Sequence, residues 1–93
     1  LGSNPSAITS LKILFTVYIL YSVSLDRYYV GHSKNILDRI KRHNAGWSKA
    51  TKAGIPWKLM YEEAFDTKSA AYRRELAIKA KKSKIYIESL IGK

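Results

Sequence analysis

The chain has 93 residues, with 17 Lys+Arg against 7 Asp+Glu, a formal net charge of +10. That length and a hydrophobic content of 46% describe one folded domain and argue against wholesale disorder or a second domain. The lack of cysteine excludes a disulfide framework, a thiolate zinc site and a cysteine nucleophile and fits a reducing compartment, while the cation excess points to a polyanion, either nucleic acid or an anionic membrane surface.

Residues 1–10 (LGSNPSAITS) are small and polar, without an initiator Met, and read as an expression scar or frayed terminus. Residues 1–11 are therefore expected to be a tag remnant or disordered, and 12–93 to be the domain. The longest apolar run, Ile13 to Tyr21 (ILFTVYILY), falls short of the roughly 20 residues a membrane span needs. Its β-branched and aromatic content reads as a buried strand. A turn-like SVSLDR follows, then a second short strand, Tyr28 to His32, which makes a hairpin. Ser33 is placed to cap a helix that runs to about Asn44 and stops at Asn44-Ala45-Gly46. A loop from Gly46 to Pro56 carries Trp47, Lys49 and Lys52. Trp57 to Phe65 (WKLMYEEAF) reads as a third strand, and Asp66 or Thr67 caps a long second helix reaching about Lys82. Lys84 to Ile91 reads as a short terminal helix. The fold class expected is α+β, a small three-stranded antiparallel sheet flanked by helices in the order β-β-α-β-α-α. No long basic amphipathic helix faces bulky apolar residues, so no membrane partner is expected.

Both long helices place polar groups where apolar ones belong. At about 100° per residue, with Ala71 at zero, Glu75 falls near 40° and Ile78 near −20°. Glu75 therefore points with the apolar face. A carboxylate there costs several kcal/mol, on the order of a buried charge, unless a cation, a metal or hydrogen bonds meet it. A structural salt bridge or an escape to water answers that requirement as well as a functional role does. On the first helix, Ile36, Leu37 and Ile40 form the apolar stripe. Arg39 and His43, four apart, share one border of it. Arg39 can set a bidentate fork on a phosphate and His43 can move a proton near neutral pH; a solvated amphipathic border is the plainer alternative.

The tripeptides Val17-Tyr18-Ile19 and Tyr29-Val30-Gly31, the phrase LDRIKRHNAG with Arg39, and the phrase YRRELAIKAKK with Glu75 occur in an order and spacing that resemble the GIY-YIG nuclease family. The resemblance runs from about residue 12 to 91. It is nearer to the small stand-alone bacterial members and the structure-specific resolvase subunits than to the excision-repair nucleases. Two positions depart from the pattern: Val17 stands where the first motif has Gly, and His32 stands where excision-repair relatives carry Lys. His32 reads as a structural or rim residue.

The resemblance implies a catalytic set of Tyr18, Tyr29, Arg39, His43 and Glu75. Glu75 would be the ligand of a divalent metal, Mg or Mn, completed by water and phosphate. Arg39 would bind the scissile phosphate. Tyr18 or His43 would take the proton of the attacking water, and the choice stays open: a free tyrosine, with a pKa of about 10, must be lowered to serve near pH 7, whereas histidine is already matched. Tyr29 would position water or phosphate, and Gly31 would allow close backbone approach. Tyr21, Tyr28, Tyr61, Tyr72 and Tyr86 read as packing residues.

Lys34, Lys41, Arg42, Lys49, Lys52, Arg74 and Lys79 form the expected nucleic-acid surface, gripping phosphates without reading sequence. The function expected is a metal-dependent DNA endonuclease, structure-selective or weakly specific, in repair or recombination. Its expected place is the bacterial cytoplasm, at the nucleoid, with no organic cofactor. The alternative is a non-catalytic nucleic-acid-binding module that keeps the nuclease fold.

Overall fold

The computed structural model describes residues 13–92; the expected tag remnant or disordered stretch at 1–11 lies outside the described residues. Strand β1 (Phe15–Ser22) is central, with β2 (Arg27–Ser33) on one side and β3 (Trp57–Phe65) on the other, all antiparallel. Helix α1 (Ile36–Asn44) follows the hairpin, a 3₁₀ turn (Lys52–Gly54) precedes β3, and α2 (Lys68–Ala80) and α3 (Lys84–Ile91) close the chain. This is the expected α+β fold in the expected order.

The near-continuous apolar sequence of β1 has a direct cause: helices cover both faces of the sheet. Val17 and Ile19 point one way and join Val30, Ala71 and Ile78, with Tyr86, Ile87 and Leu90 of α3 packed behind. Tyr18 and Leu20 point the other way and join Trp57, packed by Ile36 and Ile40 of α1. Val17, Ile19 and Leu20 have no solvent exposure.

Two local expectations are corrected, at Ser33 and Leu37, and the two ends of α2 are made definite. Ser33 does not cap α1: it is the last residue of the β1–β2 ladder, opposite Thr16, and its hydroxyl accepts the Asn35 amide at 3.0 Å. Asn35 is the cap, its Oδ1 accepting the Asp38 amide at 3.0 Å. Leu37 leaves the apolar stripe, 71% exposed, because it is turned about a quarter of the helix away from Ile36 and Ile40. Helix α2 ends at Ala80, before Lys82, whose φ of +48° lies in the left-handed region. Thr67 rather than Asp66 caps it, accepting the Ala70 amide at 3.1 Å.

Candidate active site

Alternation along the strands divides the expected site residues between two faces of the sheet. Tyr18 and Tyr29 face α1, where His43 meets them. The His43 ring lies 4.9 Å from that of Tyr29 and 6.2 Å from that of Tyr18, between ring centres. His32 and Glu75 meet on the other face, beneath α2. Strand β2 is the edge of the sheet, so the two groups approach each other around one edge.

On the α1 side, polar contacts form a chain. The Thr51 hydroxyl donates to the Ser48 carbonyl at 3.4 Å, so its oxygen accepts from His43 Nδ1 at 3.0 Å. That assignment leaves His43 Nε2 as an acceptor, and the Tyr18 hydroxyl, 3.3 Å away, donates to it. Tyr18 and His43 are only 1% and 4% exposed. Burial pushes the Tyr18 hydroxyl well above its ordinary range, with the neighbouring Tyr29 adding to the rise and Arg39 opposing it. The lowering that a tyrosine base requires is not what its surroundings supply. Burial, helped by the charge of Arg39, lowers the His43 pKa, so the imidazole is neutral near pH 7.

The backbone at Gly31 makes room for this arrangement. Gly31 pairs with Tyr18 across the ladder, and a Cβ there would lie 2.6 Å from the Tyr18 hydroxyl and 2.8 Å from its Cζ. The glycine of the second motif is thus the floor on which the tyrosine ring of the first one rests.

On the α2 side, Glu75 is 8% exposed between Ala71 and Ile78, as the helical arithmetic predicts. His32 Nδ1 donates to its Oε1 at 2.6 Å, and Lys79 Nζ donates to its Oε2 at 2.5 Å. Burial works against ionisation, but the bonds from Lys79 and His32 outweigh it and hold the carboxyl below its ordinary value. The Glu75 charge also acts on Tyr18, so the two faces are electrostatically coupled.

Arg39 joins them. It lines a cavity of about 720 Å³ with His32, Ser33, Lys34, Lys68 and Tyr72, and a smaller one of about 230 Å³ with Tyr29, His43 and Trp47. Arg39 thus shares one cavity with Tyr29 and His43 and the other with His32, which bonds Glu75. Of the five expected catalytic residues, Tyr29, Arg39 and His43 line these cavities, while Tyr18 lies behind them bonded to His43 and Glu75 bonded to His32. Among the expected surface cations, Lys34, Lys41, Arg42, Lys49 and Lys52 are exposed. Lys79 is also exposed while donating to Glu75, and half-buried Arg74 donates to Glu63 at 3.0 Å and to Tyr86 at 3.4 Å.

Three participants escaped the sequence reading. His32 is at the rim, as expected, and also orients Glu75. Tyr72, read as packing, is 49% exposed, lines the larger cavity and stacks edgewise on His32 at 5.7 Å. Its position three residues before Glu75 was a usable signal, since such pairs share a helix side. Thr51 had no sequence signal: it reaches His43 only because the loop folds back under α1.

Among the described residues, no three His, Cys, Asp or Glu side chains gather into a metal cluster. The donor set suits a hard cation held by one carboxylate and otherwise by water and phosphate. Glu75 is ionised, and each of its oxygens keeps a lone pair beyond the bond from His32 or Lys79. No helix among the described residues is long and apolar enough to cross a membrane.

The three-stranded sheet with paired tyrosines, an arginine and a glutamate on the flanking helices is the arrangement of a nuclease-type domain family, as the family match bears out. The GIY-YIG catalytic domain matches residues 14–87, and the chain belongs to the GIY-YIG family. It is similar to a UPF0213 protein of Staphylococcus saprophyticus, 50% identical over 52 residues, which cover 55% of this chain and 63% of that protein. A UPF0213 protein of Halobacterium salinarum is 41% identical over 64 residues, covering 68% of this chain and 82% of that protein. The solution NMR structure of a UPF0213 protein from Bacillus halodurans superimposes with a TM-score of 0.53 at 32% identity, covering 84% of this chain and 82% of that one. Measured against the staphylococcal relative, the matched stretch is under two thirds of the relative's length.

Proposed function

We propose that this chain is a divalent-metal-dependent endonuclease that hydrolyses DNA phosphodiester bonds, selecting structure more than sequence, in repair or recombination. The observation that carries the reading is the position of Arg39, which lines one cavity with Tyr29 and His43 and another with His32, the residue bonded to Glu75. In this reading its guanidinium holds the scissile phosphate and stabilises the charge that grows on the non-bridging oxygens. Tyr18 and His43 act in series rather than as alternatives. As water attacks phosphorus, its proton passes to the Tyr18 oxygen while the Tyr18 proton moves to His43 Nε2. No free phenolate forms, so the raised Tyr18 pKa is no obstacle, and the neutral His43 is the final acceptor. Tyr29, half-buried against the His43 ring, orients the water. Glu75, steered by His32, would hold Mg or Mn, which when bound supplies neutralisation of charge at the leaving 3′ oxygen. The bacterial cytoplasm, at the nucleoid, is the location that matches such a substrate.

Nicking of plasmid or flap DNA by the wild-type protein with Mg²⁺ or Mn²⁺, abolished in a folded Glu75→Ala variant, is the expected result. Salt-sensitive binding without cleavage under either metal would establish instead the non-catalytic binding module.

A further inference from the structure

The two tryptophans are treated oppositely by the fold. Trp57 is 7% exposed and its Nε1–H donates to the Thr51 carbonyl at 2.6 Å. Trp47 is 72% exposed, the largest side chain so placed on the α1 side of the molecule. Its exposure is not that of a loose loop residue. Gly46, at φ +80°, turns the chain at the end of α1. The Gly46 amide then donates to the His43 carbonyl at 3.2 Å and the Trp47 amide to the Arg42 carbonyl at 3.1 Å, a Schellman pair that ties Trp47 to the last turn of α1.

The backbone at Trp47 is thus fixed, and the indole projects from it beside the cavity. It lines the smaller cavity together with Tyr29, Arg39 and His43, and a second recess of about 280 Å³ beside Lys41 and Arg42. The Arg42 guanidinium lies 5.0 Å from the ring centre and is itself anchored by Asp38 at 2.9 Å. An exposed aromatic plane beside cations is the combination that recognises unpaired bases. The ring offers a sequence-tolerant stacking face, and the cations take the flanking backbone. A base inside a duplex cannot use it, because its faces are already covered by its neighbours.

We infer that Trp47 is a stacking platform for an unpaired DNA base next to the phosphate held by Arg39, and that it gives the protein its preference for single-stranded or locally unpaired DNA. The inference rests on the nuclease reading for the role of Arg39, but its test requires no cleavage. The full chain in EDTA is titrated with oligo(dT) of about 15 nucleotides and with a blunt duplex of the same length, at one salt concentration. Tryptophan fluorescence and affinity are read in each titration. Oligo(dT) is expected to quench wild-type emission, and Trp47→Ala to remove the quench and weaken oligo(dT) binding about tenfold. Trp47→Phe should restore most of that affinity, and the loss on duplex should be several-fold smaller than on oligo(dT). Unchanged emission on adding oligo(dT), or equal losses on the two DNAs, would overturn the proposal. A wild-type protein that is quenched as expected but cleaves nothing would overturn only the nuclease reading.

Discussion

Gly31 lies across the β1–β2 ladder from Tyr18, and the Cβ it lacks would stand 2.6 Å from the tyrosine hydroxyl. The ring cannot swing aside, because Tyr18 is 1% exposed and its hydroxyl is committed to His43. Gly31→Ala is therefore expected to cost about 1–3 kcal/mol, the usual penalty of overpacking, and to dislodge Tyr18 from His43. Urea unfolding should show a lower midpoint with an unchanged slope, and nicking activity should fall in protein that is still folded.

Glu75→Gln keeps the shape of the side chain and removes its charge. Lys79 and His32 then face a neutral amide, and the stability cost should be about 1–3 kcal/mol. Activity should fall by more than about a hundredfold, well beyond what that loss of stability explains. Circular dichroism and a plasmid-nicking assay on the same preparation separate the two effects.

If Tyr18 and His43 pass one proton in series, removing either breaks the same path. Tyr18→Phe and His43→Gln should each lower kcat strongly, and the double variant should lose little more than the worse of the two. Additive losses in a double-mutant cycle would separate their roles.

Acidification should act in one direction on activity and stability. His43 is held below its ordinary value of 6.5, and it must be neutral to accept a proton. The acid limb of the pH–rate profile should therefore have its midpoint below 6.5, and His43→Gln should remove that limb. The folded state takes up the His43 proton less readily than the unfolded chain. Its contribution to stability is thus full above 6.5 and shrinks as pH falls from there to the folded value. Glu75, held below its ordinary 4.5, contributes stability above that pH and loses it as pH falls through the folded value. Denaturant midpoints measured from pH 7 downward should decline in both windows, with Glu75→Gln lacking the lower one.

Much of this organisation was legible because it is local. The apolar run of β1, the helical position of Glu75 beside Ala71 and Ile78, and the four-residue step from Arg39 to His43 follow from strand and helix periods alone. Capping was less legible. Ser33 and Asn35 are both good caps, and the choice depends on Ser33 being held by the ladder opposite Thr16. Leu37 looked apolar in sequence and is exposed because the packed face of α1 is narrower than its apolar composition.

The sequence by itself determined the elements, their order and the family, and it nominated the five residues of the proposed site, since each depends on residue type and short-range spacing. Only the tertiary structure decided their chemistry. Burial, not proximity of cations, dominates at Tyr18; Thr51 bonds the His43 ring from across a loop; His32 and Lys79 keep Glu75 ionised; and Arg39 lines two separate cavities. Desolvation and hydrogen-bond partnership are properties of what surrounds a group in space, and no period along the chain encodes them.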